Sequence, residues 1–170
     1  TNLTTYLSNT IDNFRNFFKP NTEKTIFSLK ENIQNSVKIL ETDLIKEGIT
    51  LKIKGEEIEV FGFENDIMQI FLNLLNNAKD AFIENQIKAD KYIFIDVQTN
   101  EDLATVSIKD SAGGINKNNL DRVFEPYFTT KHQFNGTGIG LYMVKEILEK
   151  HMNTSIEVKN VTFEYDFKQL

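Results

Sequence analysis

Asn73, Asn76, Asn77 and Asp80 crowd one stretch whose apolar spacing is helical. At about 3.6 residues per turn, Asn73, Asn77 and Asp80 fall on one stripe. That stripe flanks the apolar face rather than opposing it. Amides at the rim of a buried face cost free energy unless a partner satisfies them, and asparagine is a poor helix former. An amide oxygen is a hard donor suited to Mg²⁺, an ion that keeps several waters and takes further oxygens from phosphates. A solvated helix face in an asparagine-rich chain has the same appearance, so both readings stand for this cluster alone.

Two loops offer complementary chemistry. Asp110-Ser111-Ala112-Gly113-Gly114-Ile115 follows a strand-like alternation. A carboxylate at a strand end can accept from the exocyclic amine of a purine, and glycines let a base lie close to the backbone. An ordinary turn also favours Asp-Ser and Gly-Gly. The second loop, Gly136-Thr137-Gly138-Ile139-Gly140-Leu141, precedes an amphipathic pattern of Val144, Ile147 and Leu148. Glycines at a helix start expose N–H groups to an anion, and the helix dipole adds to that. Thr137 is placed to cap the helix and to donate its hydroxyl to a phosphate oxygen. A flexible hinge is the competing reading. The run is not a Walker loop, because no Gly-Lys-Ser/Thr follows. Nor is it the dinucleotide fingerprint, whose third glycine comes one residue later and whose loop follows a strand. No His-Arg-Asp or Asp-Phe-Gly accompanies it, which excludes the eukaryotic protein-kinase loop.

These residues need elements to hold them. Apolar residues at Leu3, Leu7, Ile11, Phe14 and Phe18 predict a helix that Pro20 ends. Its aromatic stripe suits a separate dimeric bundle or packing on its own domain. A short strand is predicted over 25–27. Ser28-Leu29-Lys30-Glu31 then has capping-box spacing and opens a helix with Ile33, Val37, Leu40 and Leu44 on one face, stopped by Gly48. Residues 49–53 and 58–61 alternate as half-buried strands, and 54–57 predicts a hairpin between them. A long helix is expected over 64–85, strands over 92–98 and 103–109, and a helix over 137–151. Strands over 155–158 and 162–167 close the chain. Helix pairs mixed with antiparallel strands predict an α+β fold. It would be a two-layer α/β sandwich, one sheet with helices on one face, preceded by a single bundle helix.

The totals narrow the class. At 170 residues the chain can bury one core. Hydrophobic residues at 40% and charged ones at 26% make an ordinary soluble balance. A net charge of -6 predicts no nucleic-acid partner and no membrane contact. Any polyanion must therefore be held by local devices. No cysteine is present, which removes disulfide and thiol chemistry and fits a reducing compartment. No apolar run approaches the ~20 residues that span a bilayer. The start Thr1-Asn2-Leu3 reads as a piece of a longer chain. A cytoplasmic location is expected, whether or not the full-length protein is membrane-anchored.

In order and spacing, these features resemble the GHKL superfamily of ATPases and kinases. Leu72-Asn73-Leu74-Leu75-Asn76-Asn77-Ala78-Lys79-Asp80-Ala81 is similar to its N box, 110–115 to its first glycine box and 136–141 to its second. Arg122-Val123-Phe124-Glu125-Pro126-Tyr127-Phe128-Thr129-Thr130-Lys131 resembles the F box and lid of sensor histidine kinases of two-component systems. DNA gyrase, MutL and the large heat-shock chaperones share the glycine boxes but not this run. The resemblance covers roughly residue 26 to the C-terminus. Residues 1–20 are similar to the second helix of a dimerisation and phosphotransfer bundle, which leaves 21–170 as an ATP-binding catalytic domain.

The resemblance implies the Bergerat ATP-binding fold with a mixed sheet, and Mg-ATP as ligand. Asn77 would bind Mg²⁺, Asn73 would face the phosphates or orient reacting groups, and Asp80 would line the pocket. Asp110 would read the adenine amine, with Gly114 and Ile115 against the base. Thr137, Gly138 and Gly140 would hold phosphates, with Ile139 and Leu141 completing that wall. Lys131 and Arg122 would be lid cations directed at the γ-phosphate, Lys131 joining Asn73 and Asn77 as catalytic. Phe124 and Phe128 would anchor the lid, Phe124 beside the nucleotide. The implied reaction moves the γ-phosphoryl group from Mg-ATP to a histidine, feeding a response regulator receiver domain, in a protein that dimerises through the bundle. Only His132 and His151 occur here. Neither lies in a bundle helix before an acidic residue, so the acceptor is expected upstream. A GHKL ATPase that hydrolyses ATP, or a degenerate nucleotide-binding or docking module, are the alternatives. Three departures stand out. Ala112 replaces a frequent glycine, His151-Met152-Asn153 replaces a frequent His-Gly-Gly, and Val161 stands where relatives often carry an adenine-contacting Thr, with Thr162 as the displaced counterpart.

Overall fold

The computed structural model describes residues 23–100, 103–131 and 136–163. The helix expected before Pro20 lies outside the described residues. Strand β1 (Thr25–Ser28) runs straight into helix α1 (Leu29–Lys46) because Ser28 stays extended and its Oγ accepts the Glu31 N–H at 3.1 Å. That bond satisfies one orphan donor at the helix start. Gly48, at φ +67°, turns the chain after α1 in the left-handed conformation that glycine adopts without penalty. There follow β2 (Thr50–Gly55), β3 (Glu59–Gly62), helix α2 (Glu64–Glu84), β4 (Tyr92–Asn100) and β5 (Leu103–Asp110). A short 3-10 turn, Lys117–Arg122, precedes helix α3 (Gly140–Glu146), which widens into a π turn over Ile147–His151.

Two sheets form instead of one. In the larger, β4 is central: β2 pairs with it in parallel, Ile53 opposite Ile95, and β5 antiparallel, Ile95 opposite Ile108. The sheet is therefore mixed. In the smaller, β1 and β3 pair antiparallel, Phe27 opposite Val60. Alternation puts Ile93, Ile95 and Val97 on one face of β4, where they are buried against Leu29, Ile33, Leu40 and Leu44 of α1 and Phe71, Leu75 and Phe82 of α2. Each such side chain contributes roughly 1.5–3 kcal/mol by leaving water. This is the two-layer α+β arrangement, helices on one face. Tyr92 and Phe94 stack on the other. No helix among the described residues is long and apolar enough to cross a membrane.

The hairpin expected over 54–57 does not form. β2 stays on β4 to its end: Glu56 N–H donates to Val97 O at 3.1 Å, and a Cβ on Gly55 would stand 2.0 Å from that same oxygen. The chain leaves β2 pressed against β4, and β3 turns to β1. Alternation revealed both strands, but it carries no information about partners. The strand expected over 155–158 is also absent. Described residues 153–163 pair with no strand and are held by side chains, with Phe163 edge-on to Phe94 at 5.6 Å and Lys109 over Phe163 at 5.7 Å. Of the strand expected over 162–167, only 162–163 are described, and they are irregular.

Candidate functional site

The stripe on α2 forms the floor of one continuous cleft lined by Asn73, Asn77 and Asp80. Asn76, one residue off the stripe, turns its amide back to Leu72 O at 2.9 Å. Asn73 and Asn77 are half-buried, and their side chains make no hydrogen bond among the described residues. Gly140, the first residue of α3, packs on them: a Cβ there would lie 3.3 Å from Asn73 Oδ1 and 3.8 Å from Asn77 Nδ2. The bare glycine keeps backbone and amides close without filling the space between them. Two contacts hold α3 in place over α2. Ile70, Val144 and Ile147 form a small buried cluster, and His151 Nδ1 lies 2.8 Å from Asp66 Oδ2.

The second glycine loop differs from expectation at its cap. The helix begins at Gly140, Ile139 is its N-cap residue, and no side chain caps it. Thr137 Oγ1 accepts the Ile139 N–H at 3.3 Å instead, closing a tight turn two residues ahead. Gly138 sits at φ +64°, and a Cβ on it would meet the backbone of Tyr127 and Phe128 at 2.5–2.8 Å. The loop is thus the seat of the segment that carries Phe124, Phe128 and Lys131, all of which line the cleft, as do Thr137, Ile139 and Leu141. Lys131 Nζ donates to Asp80 Oδ2 at 2.5 Å and ties that segment to α2. Arg122 is not among the lining residues. Its Nε donates to Glu125 Oε2 at 3.1 Å, and its guanidinium lies 4.6 Å from the Phe128 ring centre. Of the two cations expected at the γ-phosphate, Lys131 lines the cleft and Arg122 packs beside it on Glu125 and Phe128. His132 lies outside the described residues.

The first glycine loop also lines the cleft, through Asp110, Gly114 and Ile115. Asp110 Oδ1 accepts the Ala112 N–H at 3.0 Å, which fixes the carboxylate and leaves Oδ2 for other donors. Ala112 is buried and its φ is not positive, so the backbone there suits alanine as well as the glycine expected from the resemblance. Gly113 and Gly114 take φ +98° and +78°. Three supports of this loop escape the sequence pattern. Ser111 Oγ accepts from Tyr92 N–H at 3.0 Å and donates to Asp90 O at 2.7 Å. Asn85, the residue closing α2, donates to Ala112 O at 2.6 Å. Asn160 bonds both backbone groups of Ile115. Asn85 was legible as a helix end, but its partner lies far along the chain, where local patterns carry no signal.

Asn77 fits a divalent cation as one hard oxygen donor beside a glycine-bordered space, not as part of a cage. Among the described residues no three His, Cys, Asp or Glu side chains gather to hold a metal. Such a donor set suits Mg²⁺, which takes its remaining ligands from water and phosphate.

The family described as histidine kinase-, DNA gyrase B- and HSP90-like ATPase matches residues 62–169. Sporulation kinase A of Bacillus subtilis (strain 168) is 31% identical over 133 residues, 77% of this chain and 21% of that protein. Sensor histidine kinase ZraS of Escherichia coli (strain K12) is 34% identical over 139 residues, 77% of this chain and 28% of that protein. The chain thus spans less than a third of either relative. Among solved structures, the catalytic domain of histidine kinase ThkA in a nucleotide-free form is similar at a TM-score of 0.67 and 29% identity, over 76% of this chain and 82% of that one. Histidine kinase ThkA in complex with response regulator protein TrrA shares the fold at a TM-score of 0.69 and 23% identity, over 88% of this chain and 42% of that one.

Proposed function

We propose, for a chain that belongs to the histidine kinase-, DNA gyrase B- and HSP90-like ATPase family, that its cleft binds Mg-ATP and supplies the γ-phosphoryl group to a histidine on an upstream bundle helix. The observation that carries this reading is the approach of Gly140 to Asn73 and Asn77, two half-buried amides without a protein partner among the described residues. Amides that line the cleft beside a bare glycine, with no protein partner among the described residues, are available to a ligand. In this reading Asn77 coordinates Mg²⁺ and Asn73 faces the phosphates. Thr137, Gly138 and Gly140 donate to phosphate oxygens, while Asp110 Oδ2 accepts from the adenine amine. Lys131 adds positive charge near the γ-phosphate. Transfer breaks the terminal P–O bond and forms a P–N bond to a neutral imidazole, whose lone pair needs no separate base. The residues here then contribute positioning and charge neutralisation, the main requirements of phosphoryl transfer. The phosphoryl group passes on to a response regulator in the whole protein, a proposal supported by the named roles of the relatives.

Asn77→Ala tests the reading. Mg-ATP affinity should fall at least about tenfold, one lost charge-assisted contact or more, and the gain in affinity that Mg²⁺ gives the unsubstituted protein should vanish. Calorimetric titration with and without Mg²⁺ measures both. An unchanged, Mg²⁺-dependent affinity would remove the role of Asn77.

A further inference from the structure

One side chain outside the expected motifs grips the first glycine loop. Asn160 Oδ1 accepts the Ile115 N–H at 2.8 Å, and Asn160 Nδ2 donates to Ile115 O at 2.6 Å. A single amide thus satisfies both backbone groups of one residue, the pairing that a neighbouring strand would otherwise supply. No strand is there to do so, because 153–163 pairs with none. The amide stands in for the ladder. The segment that delivers it is anchored three residues later, where Phe163 meets Phe94 and Lys109.

Gly114 belongs to the same device. A Cβ on it would stand 2.8 Å from Asn160 Oδ1 and 3.2 Å from its Cγ. The glycine therefore serves two needs: φ +78°, and room for the amide to close on the next residue.

We infer that Asn160 is a positioning residue for the base-binding wall of the cleft, acting through Ile115. This rests on the reading of the cleft as a nucleotide site with Gly114 and Ile115 against the base. Asn160 holds the wall on the base side, and its contacts are with Gly114 and Ile115, not with the loop over 136–141. Its loss should therefore weaken recognition of adenosine while leaving recognition of phosphates intact. A role in general folding would weaken both.

The test uses the 170-residue chain and two ligands, Mg-ATP and Mg-tripolyphosphate, the latter measured by competition. Asn160→Ala should lose about tenfold in ATP affinity, equivalent to about 1.4 kcal/mol, with tripolyphosphate changed less than about twofold. Asn160→Asp keeps the acceptor and loses the donor, so its ATP affinity should fall between the two. Hydrogen exchange at the Ile115 amide in the ligand-free protein should accelerate in Asn160→Ala. Equal losses for both ligands, no loss for ATP, or unchanged Ile115 exchange would overturn the assignment to Asn160. An unsubstituted chain that binds ATP no better than tripolyphosphate would instead overturn the nucleotide reading, and this inference with it.

Discussion

Gly138 and Gly140 should respond very unequally to alanine. At Gly138 the added Cβ meets Tyr127 C at 2.5 Å, Tyr127 O at 2.7 Å and Phe128 O at 2.8 Å, and the backbone sits at φ +64°. The left-handed conformation alone costs an alanine roughly 1–2 kcal/mol. The clash is with backbone, so it relaxes only if the segment over 127–128 moves. Tyr127 itself is held at φ +64°, a strain of about 1–3 kcal/mol that neighbouring contacts must sustain. Gly138→Ala should therefore unseat the segment carrying Phe128 and Lys131. The loss is at least about 2 kcal/mol in the seating of that segment, or roughly 30-fold in Mg-ATP affinity where the proposed site uses the seated form. Gly140 has no positive φ, and its Cβ would meet a side-chain atom, Asn73 Oδ1, at 3.3 Å. A shift of a few tenths of an ångström relieves that contact, so Gly140→Ala should lose less than about fivefold. The main core of α1, α2 and β4 contains none of these residues, so the melting temperature of both variants should stay close to that of the parent. Calorimetric titration with Mg-ATP and thermal melts measure the pair. Equal losses at 138 and 140, or a harmless Gly138→Ala, would refute the argument from backbone contact.

Two further outcomes follow from the lid and the histidines. The Lys131–Asp80 pair, with side chains 17% and 33% exposed, contributes at most about 1 kcal/mol once screening is counted. Lys131→Met should raise hydrogen exchange over 127–131 by no more than about fivefold, and high salt should erase the difference; a change that persists in salt would argue that the pair is not what tethers the segment. Incubating the chain with labelled Mg-ATP should leave no acid-labile label on it, because His151 is engaged with Asp66 at the end of the π turn and an acceptor is expected upstream. Label on this chain would sink that expectation, and steady phosphate release without label would favour hydrolysis over transfer.

The helices and the composition of the site were legible because their signals are local. Ser28 and Glu31 announced the start of α1, Gly48 its end, and the amide stripe of α2 was visible as a mismatch between polarity and periodicity. What stayed hidden depends on partners distant in the chain. β2 and β3 alternate as two strands of a hairpin would, yet one joins β4 and the other β1. The cap expected from Thr137 failed because the turn closes on Ile139 before the helix begins at Gly140. Residues 155–158 alternate correctly for a strand, but side-chain anchors replaced the ladder.

Asparagine shows why composition could not separate site from scaffold. The chain is rich in it, and the bland reading of the α2 stripe rested on that richness. In the fold the asparagines divide by whether their amides find backbone. Asn32 donates to Glu64 O, Asn76 to Leu72 O, Asn85 to Ala112 O, Asn116 accepts from Asn118 N–H, and Asn160 clasps Ile115. Each is a polar side chain bonded to backbone. Asn73 and Asn77, both half-buried, make no such bond among the described residues. An amide with a backbone partner is engaged by the fold itself, and one that lines the cleft without such a partner is left available to a ligand, as the proposed function requires. The glycine run that first suggested phosphate chemistry therefore gains its meaning from the two amides it faces. The five asparagines bonded to backbone show what a merely structural polar residue looks like in the same chain.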